Sequence, residues 1–299
     1  MHKVVIIGAG QVGQTLGYLL HRSKKYKVVG VWSRQLNNAK KAARFIGKNV
    51  RIFNDKTTAA LSGDIIFITT SDNAIQQVAQ DIFSGNSVFN NKIVLHCSGS
   101  LPSTILKSAK RHKNTFIASL HPLQTFANKL ETARNFRGTY CVYEGEPKAL
   151  SIVREIIRII GGIPVGIKAK NKTLYHIGCV FASNYLVTLV RTAYEFLKHC
   201  GFRDKDIYKA IHPLINATFR NIRDIGFTAA LTGPISRGDI LTIKHHIRKI
   251  KKHLPDYLTL YRHLAKHTIK IAKEKGKTSS KQLSLMQREI DNEYCIDWF

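Results

Sequence analysis

Lys3-Val4-Val5-Ile6-Ile7-Gly8-Ala9-Gly10-Gln11-Val12-Gly13-Gln14-Thr15-Leu16-Gly17 is the stretch that decides the fold. Residues 3–7 are a β-branched apolar run that reads as a buried strand, and residues 14–20 have helical character. Between them stands G-x-G-x-x-G. The pattern is weak alone and specific in this setting, because it leaves a strand and opens a helix. Gly8 permits a tight turn, Gly10 lets the backbone approach a diphosphate, and Gly13 allows the helix to pack on the strand. The free amides around Gln11 and Val12, at the positive end of the helix, then meet the phosphates. The alternative is that the glycines serve the turn and nothing else.

The same rhythm continues downstream. Residues 28–32, 65–69, 93–96, 116–119, 139–143 and 163–167 read as strands, and residues 37–45, 73–82 and 147–160 as helices between them. Alternation of this kind implies an α/β Rossmann domain with a parallel sheet, here residues 1–167. Past Lys168 strand signals cease, and helical patterns cover residues 172–200, 204–225, 239–253 and 256–275. Gly201, Gly226, Gly233-Pro234 and Pro255 mark the joints. Residues 168–299 therefore read as an all-α domain. Its tail from Gly276 is polar and expected to be loosely ordered until the apolar end Ile296-Asp297-Trp298-Phe299.

With 299 residues, 44% of them hydrophobic, the chain can build two cores. No stretch approaches the roughly 18 uninterrupted apolar residues of a membrane span, and no signal-peptide layout precedes the first strand. A cytoplasmic protein without a membrane partner is expected. Cys97, Cys141, Cys179, Cys200 and Cys295 are odd in number and include no C-x-x-C pair, so reduced thiols and no metal site are expected. The net charge of +28 raises the question of a polyanionic partner. Its carriers are spread along the chain, densest at Lys24-Lys25, Lys40-Lys41, residues 107–113 and residues 244–252. No RNA-binding aromatic signature or zinc-finger spacing accompanies them. Solvated basic faces explain the charge, with non-specific sticking to nucleic acid at low salt and no specific nucleic-acid binding.

Cofactor preference is written at the end of the second strand. An NAD-specific domain places Asp or Glu there to bind the ribose hydroxyls; this chain has Ser33-Arg34, a hydroxyl and a guanidinium suited to a 2′-phosphate. NADP(H) is the expected cofactor, with Lys40 or Lys41 adding charge; the alternative is that Arg34 stacks on adenine or faces solvent. Thr69 and Thr70, and the His96-to-Ser100 loop with Ser98, follow strand carboxyl ends, where such sheets bind ligands. His96 and Ser98 equally suit caps and turns.

In the helical half, Lys172, His176 and Ser183 fall within one stripe of a helix at 100° per residue, with Asn184 and Arg191 on its flank. Such a polar stripe on an apolar helix needs partners or a ligand. A satisfied core histidine is the simpler alternative. Four segments, in order, carry a family resemblance. They are Gly8 to Gly13, His121-Pro122-Leu123-Gln124-Thr125-Phe126, Tyr175-His176 with Ser183-Asn184-Tyr185, and Leu231-Thr232-Gly233-Pro234-Ile235-Ser236-Arg237-Gly238-Asp239. Up to Lys275 the chain resembles a bacterial family joining a Rossmann-like domain to a helical domain of unknown function, whose members are described as NADP-dependent oxidoreductases. More distantly it is similar to pyrroline-5-carboxylate reductase, deazaflavin-dependent NADP oxidoreductase and the 6-phosphogluconate and 3-hydroxyacid dehydrogenases. The resemblance implies a helical domain of 6-phosphogluconate-dehydrogenase type that supplies substrate groups and a homodimer interface through the C-terminal helices. Lys172 and Asn184 are too far apart to be the Lys and Asn pair of those dehydrogenases, so no catalytic lysine carries over.

Hydride transfer to or from a C=O or C=N carbon of a small-molecule substrate leaves a proton to be moved. His176 is the first candidate for that step and Lys172 its rival, with Ser183 and Asn184 orienting the substrate. His121 and Gln124 are candidates to line the same cleft, although His-Pro also suits a turn. Arg237 is the candidate for a substrate carboxylate or phosphate, and Asp239 for the N-cap of the next helix. A non-catalytic NADP(H)-binding sensor or scaffold is the competing function; it would bind the coenzyme and never turn over.

Overall fold

The computed structural model describes residues 1–292. Cys295 and the apolar end 296–299, expected to dock, lie outside the described residues; the four described cysteines are free. Two compact units divide between Tyr185 and Leu186.

In the first unit the opening run forms β1 (Lys3–Ile7), buried at every residue except Lys3. Its side chains alternate between two cores, as the period of a strand requires. Val4 and Ile6 join Leu16 and Leu20 of α1 (Gln11–Ser23) and Ala39 and Ile46 of α2 (Leu36–Ile46). Val5 and Ile7 join Ile75, Ala79 and Phe83 of α4 (Asp72–Phe83). Both faces being covered, the strand is apolar throughout rather than alternating. Gly17 serves the contact of α1 with α2 first and with the sheet second, since a Cβ there would come 2.8 Å from Ile46 Cδ1 and 3.5 Å from Ile6 Cγ1 of β1.

Around β1 lie β2 (Lys27–Trp32), β3 (Arg51–Phe53), β4 (Ile65–Ile68), β5 (Ile93–His96), β6 (Phe116–Pro122), β7 (Tyr140–Gly145) and β8 (Ile163–Gly166). The eight strands run in the order β3-β2-β1-β4-β5-β6-β7-β8. The order reverses direction between β1 and β4, so the loops leaving those two strands part to opposite faces and open a crevice. Short β3 and α3 (Lys56–Leu61) carry too few residues to show periodicity and went unread in the sequence.

The parallel sheet has one departure: β7 runs antiparallel to β6. Between them α5 (Lys129–Arg134) packs on α1 instead of crossing the sheet, so the chain re-enters from the edge it left. β6 also runs on through His121-Pro122, which are strand residues paired with Val142 and Cys141 rather than a turn. Pro122 lies beyond the last pairing with β5, so its missing amide leaves no gap in that ladder. After α6 (Pro147–Ile159) crosses over, β8 pairs parallel with β7, and a 3₁₀ turn (Ala169–Asn171) leads into α7 (Lys172–Cys179). The expected join near Lys168 marks the end of the sheet; α7 still packs within the first unit.

The described part of the second unit is helical: α8 (Tyr185–His199), α9 (Asp204–Ala230), α10 (Pro234–Arg237), α11 (Ile240–His253), α12 (Leu258–Lys275) and α13 (Ser280–Asp291). The described part of the tail, residues 277–292, carries a helix, contrary to its polar composition. Ser279 accepts a hydrogen bond from the Gln282 amide while the Gln282 side chain accepts from the Ser279 amide, a capping box that starts α13. Leu283, Met286 and Ile290 then bury one stripe among Ile243 and Ile247 of α11 and Ile269 of α12. Met286→Ala, which empties a fully enclosed position, is expected to destabilise the protein by about 2–5 kcal/mol in urea titration.

Candidate functional site

Two neighbourhoods lie at the carboxyl edge of the sheet in the first unit. The first is a cleft of about 340 Å³ lined by Gly8, Ala9, Gly10, Trp32, Ser33, Arg34, Gln35, Asn38, Thr69, Thr70, Ser71, Ala74 and Val78. It is the crevice between the ends of β1, β2 and β4. Gly8 holds φ +117°, and a Cβ there would come 2.7 Å from the Thr69 carbonyl carbon, so only glycine fits where β1 and β4 part. A Cβ on Gly13 would come 2.4 Å from Thr69 Oγ1; that hydroxyl donates to the Gly8 carbonyl at 2.7 Å and holds the turn. Beside Gly10 the nearest atom to a Cβ would be Thr69 O at 3.8 Å, which leaves this face open.

The cleft fits a dinucleotide. α1 begins with no side-chain cap and no acidic residue in its first turn, so the amides around Gln11 and Val12 remain available to an anion. Thr70 Oγ1 is enclosed and has no partner among the described residues, although it lines the cleft. A hydroxyl in that state needs a ligand or water to satisfy it. Ser33 and Arg34 line the same space, whereas Lys40 lines a different groove with Arg44 and Lys48. Sequence reasoning missed Trp32, Gln35 and Asn38, for which no motif exists.

The second neighbourhood centres on α7 and the ends of β5, β6 and β7. Lys172 is 1% exposed and Glu144 3%. The Lys172 ammonium donates to Ser119 Oγ and stands 3.5 Å from Glu144 Oε1. Glu144 also accepts from Ser119 Oγ at 2.7 Å, from the Ser103 amide at 2.7 Å and from Ser103 Oγ at 2.8 Å. Burial lowers the Lys172 pKa to about 8, against the pull of Glu144 toward the charged form. The antiparallel register of β6 and β7 places Glu144 opposite Ser119. An expectation of parallel strands throughout conceals that pairing, and Glu144 was missed with it.

His96 is fully buried; Nδ1 accepts from the Ser98 amide at 3.1 Å and Nε2 donates to the Pro102 carbonyl, 3.3 Å away. Burial, then the Lys172 charge, push its pKa down to about 3. Ser98 anchors the turn: its hydroxyl donates to Asp72 Oδ2 at 2.7 Å and accepts from the Leu101 amide at 3.0 Å. Facing this loop, the half-buried rings of His121 and His176 stand edge to face with centroids 6.2 Å apart. Tyr175, also missed, places its hydroxyl 2.7 Å from His121 Nδ1.

Val180–Asn184 winds as a π-helix, so the 3.6-residue spacing that grouped Ser183 with Lys172 and His176 does not hold there. Among the described residues neither Ser183 nor Asn184 makes a side-chain hydrogen bond. Gln124 is exposed, and its side chain accepts from the adjacent Thr125 amide at 2.8 Å. Arg237 belongs to the second unit, where its guanidinium lies 2.8 Å from Asp239 Oδ2. That carboxylate is thereby occupied, and Asp239 sits at the N-cap of α11 without capping it.

Glu144→Gln leaves the Lys172 ammonium buried and unpaired, and is expected to destabilise the protein by about 3–5 kcal/mol. The double variant Glu144→Gln/Lys172→Met should recover most of that loss in the same urea titration. Equal losses in the single and double variants would mean that the charge pair is not what matters.

Comparison with known proteins places this geometry. Residues 3–99 match the family model described as NADP oxidoreductase coenzyme F420-dependent, and residues 139–268 match that of a domain of unknown function, DUF2520. No curated protein sequence matches the chain. Among solved structures, protein TM1727 of Thermotoga maritima is 26% identical, with TM-score 0.69 over 91% of this chain and 99% of that one. BF3122 of Bacteroides fragilis, provisionally assigned as an NADP oxidoreductase, is 22% identical, with TM-score 0.73 over 91% and 98%. Pyrroline carboxylate reductase of Plasmodium falciparum, with NADP bound, is 13% identical, with TM-score 0.57 over 96% and 98%. The chain thus resembles the NADP oxidoreductase model in its first part and DUF2520 in its second, and shares the Rossmann-plus-helical fold of these structures.

Proposed function

We propose that this chain is an NADP(H)-dependent oxidoreductase that transfers hydride to or from a small C=O or C=N substrate, with His176 as the acid-base group. The enclosed, unpartnered Thr70 hydroxyl in a cleft headed by an uncapped glycine-turn helix carries the reading. Gly10 and the first turn of α1 would hold the diphosphate, and Ser33 and Arg34 the 2′-phosphate. The bound nicotinamide supplies or takes the hydride. His176, half-buried on α7 and facing the loop that ends β5, exchanges the proton at the substrate heteroatom. Lys172 is committed to Glu144 and Ser119, so its part is to fasten α7 to the sheet. Ser183, Asn184, Gln124 and Arg237 are assigned no step. Isothermal calorimetry should show NADPH bound at least roughly tenfold more tightly than NADH, a preference that Arg34→Ala narrows. No heat with either coenzyme sinks the reading. His176→Ala should lower turnover on a panel of aldehydes, keto acids and imines roughly 10²–10⁴-fold, with NADPH affinity unchanged.

The working form we propose is a cytoplasmic homodimer. The run Ala169–His199 contains an 18-residue window, of mean hydropathy 1.3 and with none of its residues buried, that is apolar enough to cross a membrane by composition. No uninterrupted apolar stretch is present, so averaging over the run brings out what counting did not. Phe181 is 64% exposed and Val187 69%, more apolar surface than a lone soluble helix tolerates. Lys172, at the start of this run, is pinned to a sheet carboxylate, which favours a second copy over a bilayer as the cover. Sedimentation without detergent should give a dimer, and Val187→Asp a monomer; a monomeric parent protein overturns this.

A further inference from the structure

We infer that Tyr175 is a positioning residue that locks His121 in a single tautomer, so that His121 presents a neutral Nε2–H to a carbonyl oxygen while His176 exchanges the proton. The inference rests on the reductase reading and narrows it to C=O substrates.

The geometry is set by three contacts. Tyr175 and His121 pack edge to face, with centroids 5.6 Å apart and planes at 78°, and the phenol oxygen lies 2.7 Å from Nδ1. A Cβ on Gly99 would come 2.9 Å from His121 Nε2 and 2.5 Å from His176 Cδ2, so both rings lie against a bare backbone at the turn after β5. Nε2 makes no hydrogen bond among the described residues and is not one of the enclosed unpaired atoms, so a ligand can reach it.

Burial raises the Tyr175 phenol above its usual range, so it keeps a proton to donate. In the proposed lock that proton lies in the contact with His121, where Nδ1 then accepts. Burial, the Lys172 ammonium and His176 push the His121 pKa down to about 4, with Asp72 opposing. The other titratable groups that act on this pair are His96 on β5, Cys141 on β7 and Cys179 on α7. At neutral pH the ring therefore holds one proton, in the proposed lock on Nε2.

A neutral N–H directed at the substrate selects among substrates. When hydride and its electron pair bond to a carbonyl carbon, the π pair moves to oxygen, which accepts a hydrogen bond from His121 and then a proton from His176 to give the alcohol. A protonated imine instead loses positive charge at nitrogen and has no lone pair for the donor until the step is over.

Nitrogen-15 NMR of histidine-labelled protein tests the lock without any substrate, with His121→Gln identifying the resonances. We expect His121 to show a protonated Nε2 and an accepting Nδ1, unchanged from pH 8 to about 5.5, and Tyr175→Phe to mix the tautomers while NADPH affinity and circular dichroism stay as they were. A proton on Nδ1, or a charged ring at pH 7, overturns the proposal. With a turned-over carbonyl, Tyr175→Phe should lower kcat roughly tenfold; an equal loss on a preformed cyclic imine overturns the carbonyl preference. If no compound is turned over, the reductase reading fails while the NMR still decides the tautomer.

Discussion

An ammonium sealed inside a protein must be matched by a carboxylate, and the pairing of Lys172 with Glu144 is the constraint on which the rest of this site depends. Each residue comes from a different element: Lys172 opens α7, Ser119 lies on β6, Glu144 on β7, and Ser103 begins the 3₁₀ segment Ser103–Arg111. Four segments distant in sequence thus meet at one polar knot. Every acceptor site on Glu144 that the fold can reach is used, which is the condition under which a buried charge is tolerated. Fastening the first turn of α7 fixes where its second turn falls, and that turn carries Tyr175 and His176.

A second constraint acts at the opposite side of the same sheet edge. The end of β1 and the end of β4 approach so closely that Gly8 and Gly13 have no room for a side chain beside Thr69. The Thr69 hydroxyl fills the place a larger residue at position 13 would occupy, and its bond to the Gly8 carbonyl makes the turn rigid. Rigidity there keeps the start of α1 aimed into the crevice. Adding a Cβ would force the strand ends apart and turn the helix away from an anion.

The fold was legible where periodicity is strong. Val4 to Ile7, Ile65 to Ile68 and the glycine turn announce a doubly covered parallel strand and its helix, and the second half shows only helical spacing. The antiparallel β7 was not legible, because no local signal distinguishes a helix that crosses a sheet from one, such as α5, that packs beside it. Glu144 was hidden for the same reason, its role existing only once β7 is reversed against β6. The π turn at Val180–Asn184 was not legible either, since the stripe of Lys172, His176 and Ser183 assumed 3.6 residues per turn throughout. The helix α13 was there to be read, in Ser279 followed by Gln282 and an apolar stripe, but polar composition outweighed it.

The charge balance of the site follows from these placements. Lys172 answers Glu144, and Asp72 is held by the hydroxyls of Ser98 and Ser100 at 2.7 and 2.9 Å. The fixed charges are thus engaged within the protein, and what remains facing the turn after β5 is imidazole and phenol. Protonating His96 or His121 would place a second positive charge beside the buried ammonium, in surroundings that already disfavour ions. Burial and the neighbouring lysine act in the same direction on both rings, so the two are neutral for the same physical reason. A buried lysine can in this way set the protonation state of its neighbours, and a site built from neutral donors is suited to charge that develops on the ligand during reaction rather than charge the ligand already carries.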